Sequence, residues 1–160
     1  MQRNVKLIHD FYNAFARLDY QTMQAAYADD AIFYDPVFES LDAAQVRSMW
    51  QMLCTSAKNF SLRHSEVIAD EDYGSCNWTA NYTFSATGRP VQNKIHAHFR
   101  FKDGKILEHQ DNFSFYTWSR QALGLRGTLL GWSNVVREKV RKKAKQNLHN
   151  FIAVNERLTP

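Results

Sequence analysis

A change of hydrophobic period at Phe60 is the strongest constraint on what this chain can fold into. From there the apolar and β-branched side chains recur every second residue through four runs, 60–69, 75–85, 91–102 and 105–117. The runs are separated by Glu71-Asp72-Tyr73-Gly74, Thr87-Gly88-Arg89-Pro90 and Lys102-Asp103-Gly104-Lys105. Alternation interrupted by Gly, Asp and Pro is the pattern of strands joined by tight turns, so this stretch predicts an antiparallel meander. Both flanks have the helical period instead. Val5, Ile8, Phe11, Tyr12, Phe15 and Leu18 make a broad apolar face over 5–18, with Asn4 as its cap. Asp19 caps a second short helix ending at Asp29-Asp30, and 31–35 reads as a short strand stopped by Pro36. Asp42 and Gln45 have capping-box spacing ahead of a helix whose face is Val46, Met49, Trp50 and Leu53. Helices followed by a meander define the α+β class.

The C-terminal part is helical again. Gly124, Gly127 and Gly131 fall three and four apart in a stretch that turns or packs closely. Beyond Ser133 a long helix carries Val136, Val140, Ala144, Leu148 and Phe151 on one stripe. Residues 1–118 are therefore expected to form the domain, and 119–160 a helical extension packed on it or on a partner subunit.

Charge is divided along the same boundary. Residues 134–160 hold seven Lys/Arg and two acids, a net of +5, and the preceding residues hold thirteen and fourteen, a net of −1. The basic run Arg137, Lys139, Arg141, Lys142, Lys143 and Lys145 has no nucleic-acid motif beside it. A nucleic acid or an anionic membrane could use it, but the apolar stripe beside it predicts the solvated outer face of a packed helix instead. Cys54 and Cys76 lack metal-ligand or redox spacing and read as buried thiols of a reducing compartment. Neither a signal peptide nor a transmembrane run is evident, so a cytoplasmic location is expected.

Three short motifs occur in an order that resembles the NTF2-like superfamily, and within it the SnoaL-like group: Tyr27-Ala-Asp-Asp-Ala-Ile-Phe-Tyr-Asp35-Pro36, Phe99-Arg-Phe-Lys-Asp-Gly-Lys-Ile106 and His109-Gln-Asp111-Asn-Phe113. The resemblance implies a cone in which a curved sheet wraps around N-terminal helices and encloses a small-molecule pocket, usually in a homodimer. The surface near His96 and His98 is the expected dimer face. Asp35 matches the general base of the ketosteroid isomerases, but the positions of their two oxyanion donors are occupied by Phe11 and Ala97. The Arg/Asp pair of the epoxide hydrolases is absent from Asn77–Tyr82. The SnoaL-like pattern, with an acid on the last strand, is the nearest, and Asp111 stands there.

Strand alternation points to Asp111 independently. Leu107, His109, Asp111, Phe113 and Phe115 share the more apolar face of the last strand, which should be concave. His109 and Asp111 are then neighbours among aromatics, able to hold or exchange a proton. Asp111 could equally satisfy a buried Tyr or Trp polar group. Asp35, in phase with Phe33, is a second candidate carboxylate, and Asp before Pro also makes turns. Tyr12, Phe15, Phe33, Trp50, His64, Trp78, Tyr82 and Phe113 are the expected pocket lining. No metal and no cofactor is called for. Two functions follow: a cofactor-independent isomerase, cyclase or hydrolase of an apolar small molecule, using Asp111, His109 and Asp35; or a non-catalytic module that keeps the cone for a ligand or protein contact.

Overall fold

The computed structural model describes residues 2–160. Helices α1 (Arg3–Ala16) and α2 (Tyr20–Ala25) lead into strands β1 (Tyr27–Asp35) and β2 (Glu39–Asp42), then helix α3 (Ala43–Ser56). The meander β3 (Ser61–Ala69), β4 (Tyr73–Phe84), β5 (Arg89–Lys102) and β6 (Lys105–Asn112) follows, and helices α4 (Phe115–Leu123), α5 (Leu125–Leu130) and α6 (Asn134–Leu158) complete the chain. The six strands form one curved, unclosed sheet in the order β2-β1-β6-β5-β4-β3, an α+β architecture.

Local chemistry accounts for most element ends. Asp42 and Gln45 form the reciprocal capping box at the start of α3, and Ser133 caps α6 through Val136 N–H. The β5–β6 hairpin turns on Asp103 and Gly104, with φ of 51° and 74°; two left-handed residues in succession match the twist of the strands. Gly127 permits a close crossing. A Cβ there would lie 1.9 Å from Ser119 O, so only glycine lets α5 sit against α4.

Elsewhere tertiary structure overrides the local reading. Asn4 does not cap α1 but lies in its first turn, buried, with Nδ2 donating to the carbonyls of Asp70 and Glu71 in the β3–β4 turn. The second helix ends at Ala25, because Tyr27 already pairs with Ile106, and Asp29-Asp30 fall in the irregular stretch of β1 before pairing resumes at Ile32. Residues 115–117 are helical, since Ser114 accepts the Thr117 N–H and starts α4. A register shift beside Leu107 turns Ile106 into the core, whereas alternation alone puts it outside.

The largest departure concerns how the sheet is assembled. The meander is antiparallel, but β1 enters beside β6 in parallel, pairing Phe33 with His109 and Tyr34 with Gln110. The first long strand is thereby joined to the last.

Along β5 every inward residue from Val91 to Phe101 is buried and every residue between them, His96 and His98 included, is exposed. The core is strongly aromatic: Phe11, Tyr12 and Phe15 of α1 pack on Trp50 of α3 and Trp78 of β4. Helix α6 packs on α3 and is tied to the β1–β2 corner by Arg141 Nε donating to Pro36 O at 2.9 Å and by the Lys145–Glu39 ion pair.

Candidate active site

One step beyond the last paired residues of β1 and β6 lie Asp35 and Asp111. Both follow inward-facing residues, Phe33 and His109, by two positions, so both project to the concave face from neighbouring strands. They line a cavity of about 1220 Å³ between the sheet, α3 and α6.

Each carboxylate is anchored through one oxygen. Asp35 Oδ1 accepts the backbone N–H groups of Val37 and Phe38 at 2.8 and 2.6 Å, which closes the turn after Pro36. Asp111 Oδ1 accepts from Trp78 Nε1 at 3.3 Å and lies 3.0 Å from His109 Nε2. The second oxygen of each has no protein partner among the described residues and is left for whatever occupies the cavity. The anchored and the unpartnered oxygen of each residue are thus different atoms. Burial in the first place, and the nearby Asp111 charge in the same direction, push the Asp35 carboxyl up to about 7 against the hydrogen bonds from Phe38 and Val37.

Behind Asp111 a relay of buried groups fixes His109. The Trp50 indole N–H donates to the Tyr27 hydroxyl at 2.8 Å, and that hydroxyl lies 2.7 Å from His109 Nδ1. Since the Asp111 carboxylate only accepts, a neutral imidazole carries its proton on Nε2, facing Asp111, and its bare Nδ1 accepts the Tyr27 proton while the Tyr27 oxygen accepts from Trp50. In this tautomer each donor meets one acceptor. Tyr27→Phe would strand the Trp50 N–H and free the imidazole to change tautomer. We expect a loss of about 1–3 kcal/mol, measured by denaturant titration, together with altered His109 ¹⁵N shifts; unchanged stability and shifts would mean that the relay does not hold the ring.

The other predicted lining residues divide. Phe15, Trp50, Trp78, Tyr82 and Phe113 are on the cavity wall. Tyr12, Phe33 and His64 are not, and neither is His109, which stands behind Asp111 with 1% exposure. Tyr12 is fully buried between Trp78 and His64, each ring 5.6 Å from its own. Phe33 packs edge-on to His109 and Trp50. His64 pairs with His9 at 2.9 Å, and burial, then the His9 charge, lower its pKa. The N-terminal helix fills the narrow part of the cone, so the space opens towards α3 and α6 instead.

Three contributors were not apparent from the sequence. Tyr27 lies in what reads as a helix end. Trp118 donates its indole N–H to the Tyr82 hydroxyl at 2.8 Å, which turns that hydroxyl's own proton away from the indole. Val136, Val140, Ala144 and Phe151 of α6 are cavity wall. The apolar stripe of a helix with nothing obvious to cover was the available signal.

Among the described residues no group of three or more His, Cys, Asp or Glu is placed to hold a metal ion, and no helix is long and apolar enough to cross a membrane. Cys54 and Cys76 are free and buried, and burial raises their thiols to about 11 and 12.

The family model for the SnoaL-like domain matches residues 8–109. Among solved structures the chain is similar to an NTF2-like protein of unknown function from Burkholderia pseudomallei, with 22% identity over 76% of this chain and 98% of that one and a TM-score of 0.67. It is also similar to an LEH-like epoxide hydrolase of M. tuberculosis, with 20% identity, 79% and 92% coverage and a TM-score of 0.64. IdmH of Streptomyces antibioticus, a candidate polyketide cyclase, shows 22% identity, 78% and 100% coverage and a TM-score of 0.64. At these identities the likeness is one of fold. No curated protein matches the chain.

Proposed function

The chain belongs to the SnoaL-like domain family, and from that premise we propose that it is a cofactor-independent acid–base enzyme acting on an apolar molecule of several rings. The observation that carries this reading is the pair of carboxylates at adjacent register positions, each with one oxygen anchored and one available to an apolar cavity. A pair whose environments differ this much divides the work of acid and base. Asp111, oriented by His109 and Trp78, takes a proton from the substrate. Asp35, with a pKa near neutrality, carries or returns one. The Tyr82 hydroxyl accepts from Trp118 and keeps its own proton to donate to an oxygen on which negative charge develops. Proton removal beside a carbonyl, with protonation at its oxygen or at a second carbon, is a step common to isomerisation and ring closure. A candidate cyclase and an epoxide hydrolase among the structural neighbours agree with chemistry of this class. The cavity volume, about 1220 Å³, suits a ligand larger than a single ring.

The test is direct. Ligand extracted with the purified protein is identified by mass spectrometry, returned to the protein in deuterium oxide, and followed for exchange of carbon-bound hydrogen. Exchange that depends on the protein is the expected result. A ligand bound for hours with neither exchange nor conversion would favour the binding module instead.

A further inference from the structure

The apolar surface of this protein is not scattered. Of the eleven large hydrophobic residues that are exposed among the described residues, five, Leu125, Leu129, Leu130, Trp132 and Val135, fall within one stretch of eleven. Leucines at 49–74% exposure on a short helix, followed by a tryptophan at 71%, are costly to leave in water, and apolar surface clustered in this way marks a binding face.

Two further observations identify what it binds. The first is charge. From Asn112 to Arg137 the chain carries Arg120, Arg126 and Arg137 and no acidic residue. Lys139, Lys142 and Lys143 follow on α6 without an ion-pair partner among the described residues, in contrast to Arg141 and Lys145. Apolar side chains flanked by unpaired cations, with an indole among them, suit the boundary between anionic headgroups and acyl chains. Trp132 meets the demand of that environment within its own turn, because its Nε1–H donates to Leu129 O at 2.8 Å and the ring is free to enter an apolar phase. The second is continuity with the cavity. Arg126, Leu130, Val136 and Lys139 belong at once to this surface and to the cavity wall, so the apolar stretch borders the cavity.

We propose that residues 125–135 are an interfacial docking surface for an anionic lipid bilayer, placed so that the cavity wall it borders meets the membrane. The further consequence, that the cavity loads its ligand from the bilayer, rests on the reading of the cavity as a ligand site; docking itself does not. Arginines and lysines bring the surface to the headgroups, Leu125, Leu129 and Trp132 enter the interface, and Leu130 forms the threshold between lipid and cavity.

The experiment is co-sedimentation of the full chain with vesicles of equal parts phosphatidylcholine and phosphatidylserine, and separately with phosphatidylcholine alone. The comparison is a Leu125→Ser, Leu129→Ser, Trp132→Ser variant, which alters exposed side chains that are not on the cavity wall. The expected result is binding to the mixed vesicles, weaker by roughly tenfold without phosphatidylserine. In the triple variant binding falls by roughly a hundredfold, while its melting temperature and its uptake of an apolar fluorescent dye stay as in the unaltered chain. Failure of the unaltered chain to bind mixed vesicles overturns the proposal. So does equal binding by the triple variant, which would leave the basic helix as the sole attachment. A dimer in analytical ultracentrifugation that the triple variant dissociates also overturns it, because the face would then be a subunit interface. None of these outcomes depends on turnover, so the acid–base reading stands or falls separately.

Discussion

Asp111→Asn is expected to lower turnover of the cavity's ligand by about 10²–10⁴-fold, the range for removal of a positioned general base, while the chain stays folded. The amide oxygen of Asn can still accept from His109 Nε2 and Trp78 Nε1, the donors that Asp111 Oδ1 accommodates at 3.0 and 3.3 Å. What the substitution removes is the second oxygen, the one that faces the cavity. Asp111→Ala is the informative contrast, because it leaves two buried N–H groups without an acceptor and should cost stability as well, about 1–3 kcal/mol for each. Melting curves and turnover measured side by side separate the two roles. An Asn variant that is less stable but fully active would make Asp111 structural only.

The second large effect is a dependence of stability on pH that belongs to Asp35. Its carboxyl is raised in the folded protein from the ordinary 3.8 to about 7, so folding favours the protonated form. A group of this kind contributes its full stabilisation below its unfolded pKa, and that contribution is lost as pH rises through the folded value. Between pH 4 and pH 8 the unaltered chain should therefore lose about 2–4 kcal/mol more than Asp35→Asn does. The measurement is a denaturant titration of both proteins across that range. The substitution keeps an oxygen for the Val37 and Phe38 N–H groups, so the turn after Pro36 is preserved. Parallel stability curves for the two proteins would show that the Asp35 carboxyl is not held neutral by its surroundings.

How much of this was legible depends on the range of the interaction concerned. The limits of β3, β4 and β5 and the Asp103-Gly104 turn follow from side chains within a few residues of one another, and they are found within two positions of where alternation and turn chemistry put them; β2 was not foreseen, and β6 ends at Asn112 rather than 117. The inward phase of His109 and Asp111 is likewise local, and the aromatic face does turn to the core. The parallel pairing of β1 with β6 has no local signature, because Phe33 and His109 do not influence each other until the sheet is built. For the same reason Tyr27 reads as the end of a helix: its propensities are overruled by a partner, Ile106, far along the chain. The bulge beside Leu107 is a single-residue slip, which a period-two pattern cannot register. Helix α6 is an intermediate case. Its stripe was plain, but the surface that it covers is a property of the whole cone.

The pairing of the first long strand with the last has a consequence for the life of the chain before it is finished. Asp35 emerges early in synthesis, and its counterpart on β6 only after β3, β4 and β5 have been made. No fragment lacking β6 can bring the two carboxylates together, however much of the helical layer it has collapsed. The contact is of high sequence separation, the kind that forms late and slowly. The carboxylate pair is in this sense a certificate that the chain has been made and folded through β6: a shorter or half-folded chain can be aromatic and helix-rich and still hold only one of the two acids in place.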